Sequence, residues 1–251
     1  MKAIVSLTFD DGWKSTIENA VPVLDQAGLK GTFYVITSPP EKGFNKEQYA
    51  TPEQIKSLYL SGHEIGSHTI SHPHLPPLSG ADAKKEIVES AEHLKRTGIP
   101  VDTFAYPYGQ YDASIAKIVC EAGYQGARSI CLGYNDQDTD RFRLKCQGVV
   151  MPVPFALVKH WINHAKTHDK WLILLFHQIE PTMMSLVKQR AIYGATVSTL
   201  RRIVEYLEKQ DIEVVTVREG VESLFPDCPY RKSNPNILMG IDTLTSRGRE
   251  T

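Results

Sequence analysis

The sequence has no excess of charge of either sign and no long apolar run. Its 251 residues carry 28 Lys and Arg against 29 Asp and Glu, which gives no basic surface of the kind that binds nucleic acid or an anionic membrane. The longest strongly apolar stretch, residues 171–176, is far too short to span a bilayer. The composition therefore favours a neutral or small substrate over a polyanion.

Paired cysteines, internal repeats and a leader segment are also missing. The four cysteines form no C-x-x-C pair, and a chain of this length needs no disulfide framework, so we expect four small thiols. The first apolar run starts almost at Met1, without a basic-then-apolar leader. This predicts a cytoplasmic protein, or an extracellular or periplasmic one if the chain has been trimmed.

Short apolar runs alternate with amphipathic segments along most of the chain. The runs predict strands at residues 3–9, 31–36, 63–67, 101–106, 126–129, 148–151, 171–176 and 213–217. Helical spacing and capping residues predict helices at residues 15–27, 51–61, 82–97, 112–122, 154–166 and 196–210. On the helix 82–97, the charged residues Lys84, Lys85, Glu86 and Lys95 are predicted to face outward. Residues 39–50 are predicted to form a longer loop.

This alternation predicts the fold class, an α/β protein with parallel strands. At this length a closed or nearly closed (β/α)7–8 barrel is favoured over an open sheet. We expect one barrel domain at residues 1–225. The Pro/Asn/Ser/Arg-rich segment 226–251 is predicted to be a flexible tail or one packed on the outside.

Chemically reactive residues directly follow four of the predicted strands. Asp10 and Asp11 follow the first, His68 and His72 the third, Pro107 and Tyr108 the fourth, and His177 the seventh. The carboxyl ends of barrel strands meet at one end, which we call the mouth. All of these residues should therefore face one site. Residues on an ordinary polar loop would not converge in this way.

The spacing of two of these histidines is typical of a metal site. His68 and His72 are four residues apart, so one helical turn would put both imidazoles on the same side. Asp11 is the natural third ligand, because Zn²⁺ takes nitrogen and oxygen donors tetrahedrally and a catalytic site keeps one position open. Asp10, adjacent on an extended segment, should face a different neighbour and have a different role.

In combination these motifs resemble those of the polysaccharide deacetylases, the NodB homology or carbohydrate esterase family 4 group. The resemblance runs from about residue 2 to 225 in the right order, through Thr8–Gly12, His68–His72 and Leu174–His177. It implies a distorted βα barrel and a Zn²⁺ ion, with Co²⁺ or Ni²⁺ as substitutes. It also implies a role for each matching residue: metal ligand for Asp11, His68 and His72, general base for Asp10, general acid for His177, and backbone oxyanion donor for Tyr108.

The chain departs from the family pattern at two motifs. The family's third motif carries an arginine that braces the base, whereas the matching residue here is Ala105. Arg128 and Arg143, both near strand ends, are the candidates to orient Asp10 instead. The fourth motif, which supplies an aspartate that orients the acid histidine, has no clear match, and its candidate substitutes are Asp136, Asp138 and Asp140.

Other aromatic and histidine residues have two interpretations each. Trp13, Tyr106, Tyr108 and Tyr111 are candidates to stack on sugar rings or to pack the rim of the mouth. His160, His164 and His168 recur every four residues, yet no carboxylate accompanies them, so a solvated helix face is favoured over a second metal site. His74 is expected to have a loop role.

The sequence leads to one preferred function and two rivals. The preferred function is a metal-dependent deacetylase that hydrolyses the N-acetyl group of an amino sugar in a saccharide, polysaccharide or glycolipid. The third motif, residues 104–109, is similar to the branch that acts on poly-N-acetylglucosamine, which is a hint about the substrate. The rivals are hydrolysis of another amide or of an O-acetyl ester, and a catalytically inactive sugar-binding barrel.

Overall fold

The computed structural model describes residues 2–39 and 46–226. Its main sheet consists of parallel strands, most of them followed by a helix. The strands are β1 (Ile4–Phe9), β2 (Thr32–Val35), β3 (Glu64–Ser67), β4 (Thr103–Ala105), β5 (Gly126–Leu132), β6 (Leu144–Gly148), β7 (Trp171–Phe176), β8 (Ile179–Glu180), β9 (Ala195–Thr196) and β10 (Glu213–Val214). The helices are α1 (Lys14–Gln26), α2 (Pro52–Leu60), α3 (Gly80–Arg96), α4 (Ala113–Glu121), α5 (Phe155–Thr167), α6 (Met183–Gln189), α7 (Val197–Gln210) and α8 (Val217–Leu224).

Strands β1 to β7 close into a seven-stranded barrel. Neighbouring strands pair in chain order, and β7 pairs with β1 along its whole length, from Trp171 opposite Ile4 to Phe176 opposite Phe9. Strand β10 pairs with the first residues of β1, whereas β2 pairs with its last two. The predicted α/β barrel is therefore confirmed.

Along a strand, successive side chains point alternately into two different apolar cores. Val5, Leu7 and Phe9 belong to the large apolar cluster that the helices cover, and Ile4 belongs to a second cluster with Trp171 and Ile173. This period of two places residues 4, 6, 8 and 10 of the first strand segment toward the barrel interior. Asp10 thus continues the inward row beyond the end of β1.

Glycine is needed where the interior is crowded. A Cβ on Gly66 would lie 2.4 Å from the ring of Tyr34, and a Cβ on Gly220 would lie 2.4 Å from the ring of Trp171. Both distances are shorter than van der Waals contact. Gly66 therefore makes room for a buried tyrosine inside the barrel, and Gly220 lets α8 pack against Trp171 at the amino ends of the strands.

Most predicted elements lie within two residues of the observed ones, two strand predictions were wrong, and two parts of the fold were not predicted. The sixth strand is residues 144–148 and not 148–151. Its sequence, Leu-Lys-Cys-Gln-Gly, includes Lys145 and Gln147 and is therefore too polar to be recognised as an apolar run. The strand predicted at 213–217 is only Glu213–Val214, and a capping box of Thr216 and Glu219 then begins α8, which was not predicted. The small β8–α6–β9 insertion after β7 was also not predicted.

Two predictions concern parts of the chain outside this description. The predicted tail lies almost entirely beyond residue 226, and residues 40–45 of the predicted loop are likewise outside the described residues. Residues 46–48 of that loop form a short 3-10 turn. Among the helices of residues 2–39 and 46–226, none has both the length and the apolar content that crossing a membrane requires.

Candidate active site

The end of β1 directs its two carboxylates to different neighbours. The Asp10 N–H donates to the Phe176 carbonyl (2.9 Å), which continues the β1–β7 ladder by one residue. Asp11 then takes a left-handed backbone conformation with φ of 75°, followed by Gly12 with φ of 77°. The turn ends the alternation, so Asp11 faces the mouth while Asp10 remains directed into the barrel.

The loop after β3 is held in shape by hydrogen bonds around two left-handed residues. Thr69 and His72 have φ of 69° and 59°. The Thr69 hydroxyl accepts a hydrogen bond from the His72 N–H (3.0 Å). The Glu86 carboxylate, from α3, accepts from the N–H groups of Ile70 and Ser71 (both 2.9 Å) and from the Ser71 hydroxyl (2.7 Å).

Glu86 was predicted to face outward, and that prediction was wrong. Three donors of one loop converge on its carboxylate, which is only half-buried. The helical period alone puts residue 86 on the outer side of α3. It does not reveal the loop that covers this residue, because the donors of that loop are fifteen and sixteen residues away in the chain. A charged acceptor for two backbone N–H groups is a strong local support for the histidine loop.

Asp11, His68 and His72 form a cluster whose donor atoms converge. The Asp11 Oδ1 lies 3.5 Å from the His68 Nε2 and 3.6 Å from the His72 Nε2. One ligand atom from each of the three residues lies within 4.8 Å of the others. Two imidazole nitrogens and one carboxylate oxygen are donors that Zn²⁺ binds. The residues present therefore fit a metal ion.

The surroundings fix the chemical form of the two imidazoles. The His68 Nδ1 lies 2.8 Å from the Ala105 carbonyl, so this nitrogen carries the proton and Nε2 is the free donor atom. Burial, reinforced by the charge of His68, lowers the pKa of His72 to about 4. His72 is therefore neutral at neutral pH, which is the form that binds a metal.

The cluster also keeps Asp11 ionised. Burial by itself would raise the pKa of Asp11, but in the absence of a metal the protonated imidazoles of His68, His177 and His72 hold it well below its ordinary value, His68 by a hydrogen bond and all three by their charge. The indole N–H of Trp13 donates to the other carboxylate oxygen, Asp11 Oδ2 (2.8 Å). Asp11 is therefore an anionic donor with a fixed orientation.

Arg128 is the arginine that reaches Asp10. Its guanidinium Nη2 donates to the Asp10 Oδ2, and both side chains are almost completely buried. In the β4–β5 ladder Arg128 lies opposite Ala105, the position at which the family's bracing arginine is expected. The small side chain of Ala105 leaves the interior free for a guanidinium from the neighbouring strand.

Asp10 retains one oxygen without a partner. Its Oδ1 is buried and has no hydrogen bond with any residue of the described part of the chain. The Oδ2 lies 3.9 Å from the His68 Nε2, so the carboxylate borders the metal-ligand cluster without belonging to it. A carboxylate held by one oxygen, with the other available, is suited to accept a proton beside a metal.

His177 and Tyr108 lie at the same mouth. The His177 carbonyl accepts a hydrogen bond from the Thr16 hydroxyl (2.9 Å), and its Nδ1 is buried without a partner among residues 2–39 and 46–226. The Tyr108 ring contacts the His72 ring with centroids 4.5 Å apart. Tyr108 has φ of 56°, and Gly109 allows the turn to approach Ile130 closely.

The structure does not support two of the predicted sugar-contacting residues. Trp13 is buried, stacked on Tyr49 and bound to Asp11, so its ring face is not available to a sugar. Tyr106 is also buried and donates its hydroxyl to the Phe142 carbonyl (3.0 Å). Pro107 is buried as well, and only Tyr108 of this group is exposed.

The predicted orienting roles of Arg143 and of three aspartates are also wrong. Arg143 is half-exposed and pairs with Asp140 (3.2 Å), away from Asp10. Asp136 pairs with Lys170 (2.6 Å), which precedes β7 and therefore lies at the end of the barrel opposite His177. Asp138 lines a surface pocket with Asp136 and Lys170. The segment 133–143 folds toward the amino ends of the strands, which the sequence does not reveal.

The remaining histidines agree with the structural interpretation. His160 and His168 are exposed on and just after α5, and only one group of residues with metal-binding geometry occurs in the described residues, the Asp11 cluster. His74 stacks on Tyr108 with ring centroids 4.0 Å apart and contacts Gln110 (2.8 Å). It therefore supports the turn that carries Tyr108.

Tyr193, in the insertion after β7, also lies at the mouth, and the sequence did not reveal it. The ring of Tyr193 lies 5.7 Å from the ring of His177, and its side chain is exposed. The only signal in the sequence is that the 20 residues 177–196 separate β7 from α7, which is longer than an ordinary strand-to-helix turn.

Comparison with known proteins identifies related chains. The family model for polysaccharide deacetylase matches residues 1–127. A chitin deacetylase from Colletotrichum lindemuthianum is 31% identical over 137 residues, which are 55% of this chain and 50% of that protein. A peptidoglycan-N-acetylglucosamine deacetylase from Bacillus cereus is 26% identical over 217 residues, 86% of this chain and 87% of that protein. The match to chitin deacetylase 1 of Cryptococcus neoformans var. grubii spans only 24% of that relative.

Solved structures give the same family of folds. The Streptococcus pyogenes deacetylase PplD, in complex with acetate, aligns with a TM-score of 0.54 and 27% identity over 58% of this chain and 64% of that one. The Xyl-CE4 domain of a multidomain xylanase from the hindgut metagenome of Trinervitermes trinervoides aligns with a TM-score of 0.61 and 21% identity over 89% of this chain and 91% of that one. The second likeness is one of fold alone.

Proposed function

The chain belongs to the polysaccharide deacetylase family, and from that premise we propose that it is a metal-dependent hydrolase that removes the acetyl group from an N-acetylated amino sugar. The observation that carries the proposal is the buried Asp10 carboxylate. Arg128 holds one of its oxygens, and the other is free beside the cluster of Asp11, His68 and His72. This arrangement separates a proton acceptor from the metal ligands, as hydrolysis of an amide by water requires.

We assign the ligand role to Asp11, His68 and His72, and Zn²⁺ is the metal that their donor set suits best. When bound, such an ion supplies Lewis acidity, which polarises a carbonyl group and makes water more acidic. The chain's own contribution is orientation. The Ala105 carbonyl fixes the tautomer of His68, and the Trp13 indole and Glu86 carboxylate hold Asp11 and the histidine loop.

Asp10 is the proposed general base. Its free Oδ1 takes a proton from the water molecule whose oxygen attacks the acetamide carbonyl carbon. Arg128 orients the carboxylate by its charge-assisted hydrogen bond to the other oxygen. Because both groups are buried, this pair is little screened by solvent.

His177 and the Tyr108 backbone complete the proposed reaction. The Tyr108 N–H donates to the negative oxygen that develops when water adds to the carbonyl. The carbon–nitrogen bond then breaks, His177 gives its proton to the sugar nitrogen, and acetate and a free amine are released. The hydrogen bond from Thr16 to the His177 carbonyl supports the backbone position of the acid.

A screen for acetate release tests this function. Chitooligosaccharides, N-acetylglucosamine conjugates and acetylated xylan are each incubated with protein reconstituted with zinc, cobalt or nickel. We expect release from an N-acetylated substrate. Release from acetylated xylan alone would make the protein an ester hydrolase, and sugar binding without any release would make it a binding protein.

Two variants separate the base from the ligands. Asp10→Asn should abolish turnover and leave the metal content close to one ion per chain, because Asp10 is outside the ligand cluster. His68→Ala should lose the metal as well. Asp138→Asn, at the opposite end of the barrel, is the matched control and should match the wild type. Activity retained in Asp10→Asn would exclude the proposed mechanism.

A further inference from the structure

One aromatic side chain inside the barrel lies against the guanidinium that holds Asp10. Tyr34, on β2, is completely buried and belongs to the inner apolar cluster with Ala105 and Trp171. The guanidinium carbon of Arg128 lies over the Tyr34 ring, 5.3 Å from the ring centroid. The mechanism proposed above gives this tyrosine no role.

Resting on the deacetylase activity proposed above, we propose that Tyr34 is a positioning residue for the reaction. Its ring supports the face of the Arg128 guanidinium, and the guanidinium in turn holds the Asp10 carboxylate in the orientation in which its free oxygen accepts a proton. Tyr34 acts through these two side chains and not on the substrate.

The hydrogen bonds of Arg128 do not by themselves fix the plane of its guanidinium. The Nη2 donates to the Asp10 Oδ2, and the Nη1 donates to the Ser129 carbonyl (3.1 Å) and lies 3.9 Å from the Cys146 Sγ. The Nε is buried and has no hydrogen-bond partner among residues 2–39 and 46–226. A guanidinium held only at its two outer nitrogens can tilt about the line that joins them. A ring packed on its face opposes that tilt.

The contact joins a cation to a neutral ring in a site without water access. Tyr34 and Arg128 are both completely buried, and burial raises the pKa of Tyr34, so the phenol keeps its proton. A cation over an aromatic face is attracted by the ring quadrupole, most strongly where both groups are desolvated. The Tyr34 hydroxyl is buried without a hydrogen-bond partner in the part of the chain that the structure describes. The ring is therefore the part of Tyr34 that makes the contact.

Small residues on the two strands between β2 and β5 make room for this contact. Gly66 lies opposite Tyr34 in the β2–β3 ladder, and Ala105 lies opposite Arg128 in the β4–β5 ladder. A Cβ on Gly66 would lie 2.4 Å from the Tyr34 ring, so a larger residue there would displace the ring. The two large side chains thus meet inside the barrel because the strands between them carry small ones.

Kinetics of two Tyr34 variants test the proposal, with acetate release from the N-acetylglucosamine tetramer as the measurement. Tyr34→Leu removes the ring, so kcat should fall about tenfold because the base is no longer held in place, while KM and the metal content stay the same. Tyr34→Phe retains the ring and should restore most of the wild-type kcat. A loss in Tyr34→Phe as large as that in Tyr34→Leu would overturn the proposal, because the hydroxyl and not the ring would then be needed.

The matched control is a second buried tyrosine, Tyr124. It belongs to the large apolar cluster that the helices cover, and its hydroxyl donates to the Ile87 carbonyl (2.8 Å). Tyr124→Leu should lower the melting temperature and leave kcat unchanged. If Tyr124→Leu lowered kcat as much as Tyr34→Leu does, the effect would be a general loss of packing, and Tyr34 would have no positioning role.

A double-mutant cycle on stability keeps this test separate from that of the proposed function. Tyr34→Leu and Arg128→Met are made singly and together in the Asp10→Asn background, where removal of the guanidinium leaves no unpaired carboxylate. We expect the two changes to be coupled by about tenfold in the equilibrium constant of urea unfolding, and Tyr124→Leu and Arg128→Met to be additive. Coupling supports the contact even if no acetate is released, whereas additivity of Tyr34→Leu with Arg128→Met would overturn it.

Discussion

The two ends of the barrel use the left-handed backbone region in different ways. At the amino ends of the strands, Gly28, Gly62, Gly98 and Gly123 follow helices α1 to α4 with φ between 67° and 91°. At the mouth the same region is occupied by Gly12 and Gly109 and, in addition, by the non-glycine residues Asp11, Thr69, His72 and Tyr108. Glycine enters this region without steric cost, whereas another residue pays roughly 1–2 kcal/mol. The strained residues persist at the mouth because glycine in their place would supply no side chain for binding or catalysis.

The interior shows the same contrast for buried carboxylates. Toward the amino ends, Glu64 accepts from the hydroxyls of Thr32 and Thr103 and from the Arg218 N–H (2.9 Å). At the mouth, Asp10 has one guanidinium partner and one oxygen with none in the described residues. The satisfied carboxylate contributes to stability, and the unsatisfied one is kept available. Mutations at the two ends should therefore separate stability from activity.

The largest effect is expected for Arg128→Ala. This change leaves the Asp10 charge buried without its partner, which typically costs about 3–5 kcal/mol. Deacetylase activity should be lost as well, since the base is no longer oriented. Urea unfolding and acetate release measure the two effects.

The matched control for this prediction is Arg143→Ala. Arg143 is half-exposed and pairs with Asp140 at the surface, so its loss should change stability by less than about 1 kcal/mol and leave activity intact. If both arginine variants behaved alike, the buried pair would not be what supports Asp10. Arg128→Lys, which keeps the charge without the planar fork, should fall between the wild type and Arg128→Ala.

An intermediate effect is expected at the amino end when the pH is lowered. Burial and the nearby charge of Lys30 lower the pKa of His63 to about 4, although the charge of Asp25 acts in the opposite direction. In the unfolded chain the pKa of a histidine is about 6.5. The folded state binds a proton at His63 less tightly than the unfolded state does. The free energy of unfolding is therefore highest above pH 6.5 and falls as the pH drops toward 4. The loss is about 3 kcal/mol at most, at about 1.4 kcal/mol for each pKa unit.

Urea unfolding at a series of pH values measures this loss. In the wild type the Gly31 N–H donates to the His63 Nδ1 (3.1 Å). The glutamine in His63→Gln retains an acceptor for this N–H, and its side chain does not become protonated in this pH range. Its free energy of unfolding should therefore depend less steeply on pH between 6.5 and 4. An identical pH dependence in the variant would show that other groups cause the acid sensitivity.

The smallest effect, and a stabilising one, is expected for Asp211→Gly. Asp211 ends α7 in the left-handed region with φ of 51°. Among residues 2–39 and 46–226, its side chain has one ion pair, a long and exposed one with Lys2 (3.9 Å). Glycine at this helix end should raise the free energy of unfolding by about 0.5–1 kcal/mol and leave activity unchanged.

Tyr108→Gly is the counterpart of that substitution at the mouth. It relieves the same kind of backbone strain, yet it removes the ring that packs on His72 and His74. We expect the activity to fall because the ring contacts with His72 and His74 are lost, even though the backbone strain is relieved. If Tyr108→Gly kept full activity, the strained tyrosine would have no role that requires its side chain.

The sequence by itself determined the alternation of strands and helices, most of their positions, and the strand ends that Asp11, His68 and His72 follow. These follow from local patterns, because hydrophobic period, caps and residue spacing are set within a few neighbours. The polar strand β6 and the short helices α6 and α8 were missed, since their patterns are too short or too polar to stand out.

Only the tertiary structure decided which distant residues meet. The sequence offered Arg128 and Arg143 equally, and the register that sets Arg128 opposite Ala105 directs just one of them to Asp10. It placed Glu86 outward and left Trp13 either against a sugar or packed at the rim, whereas closure of the barrel sets Glu86 under the histidine loop and Trp13 against Asp11. Strand register and barrel closure are set by contacts between residues far apart in the chain, which no local pattern contains.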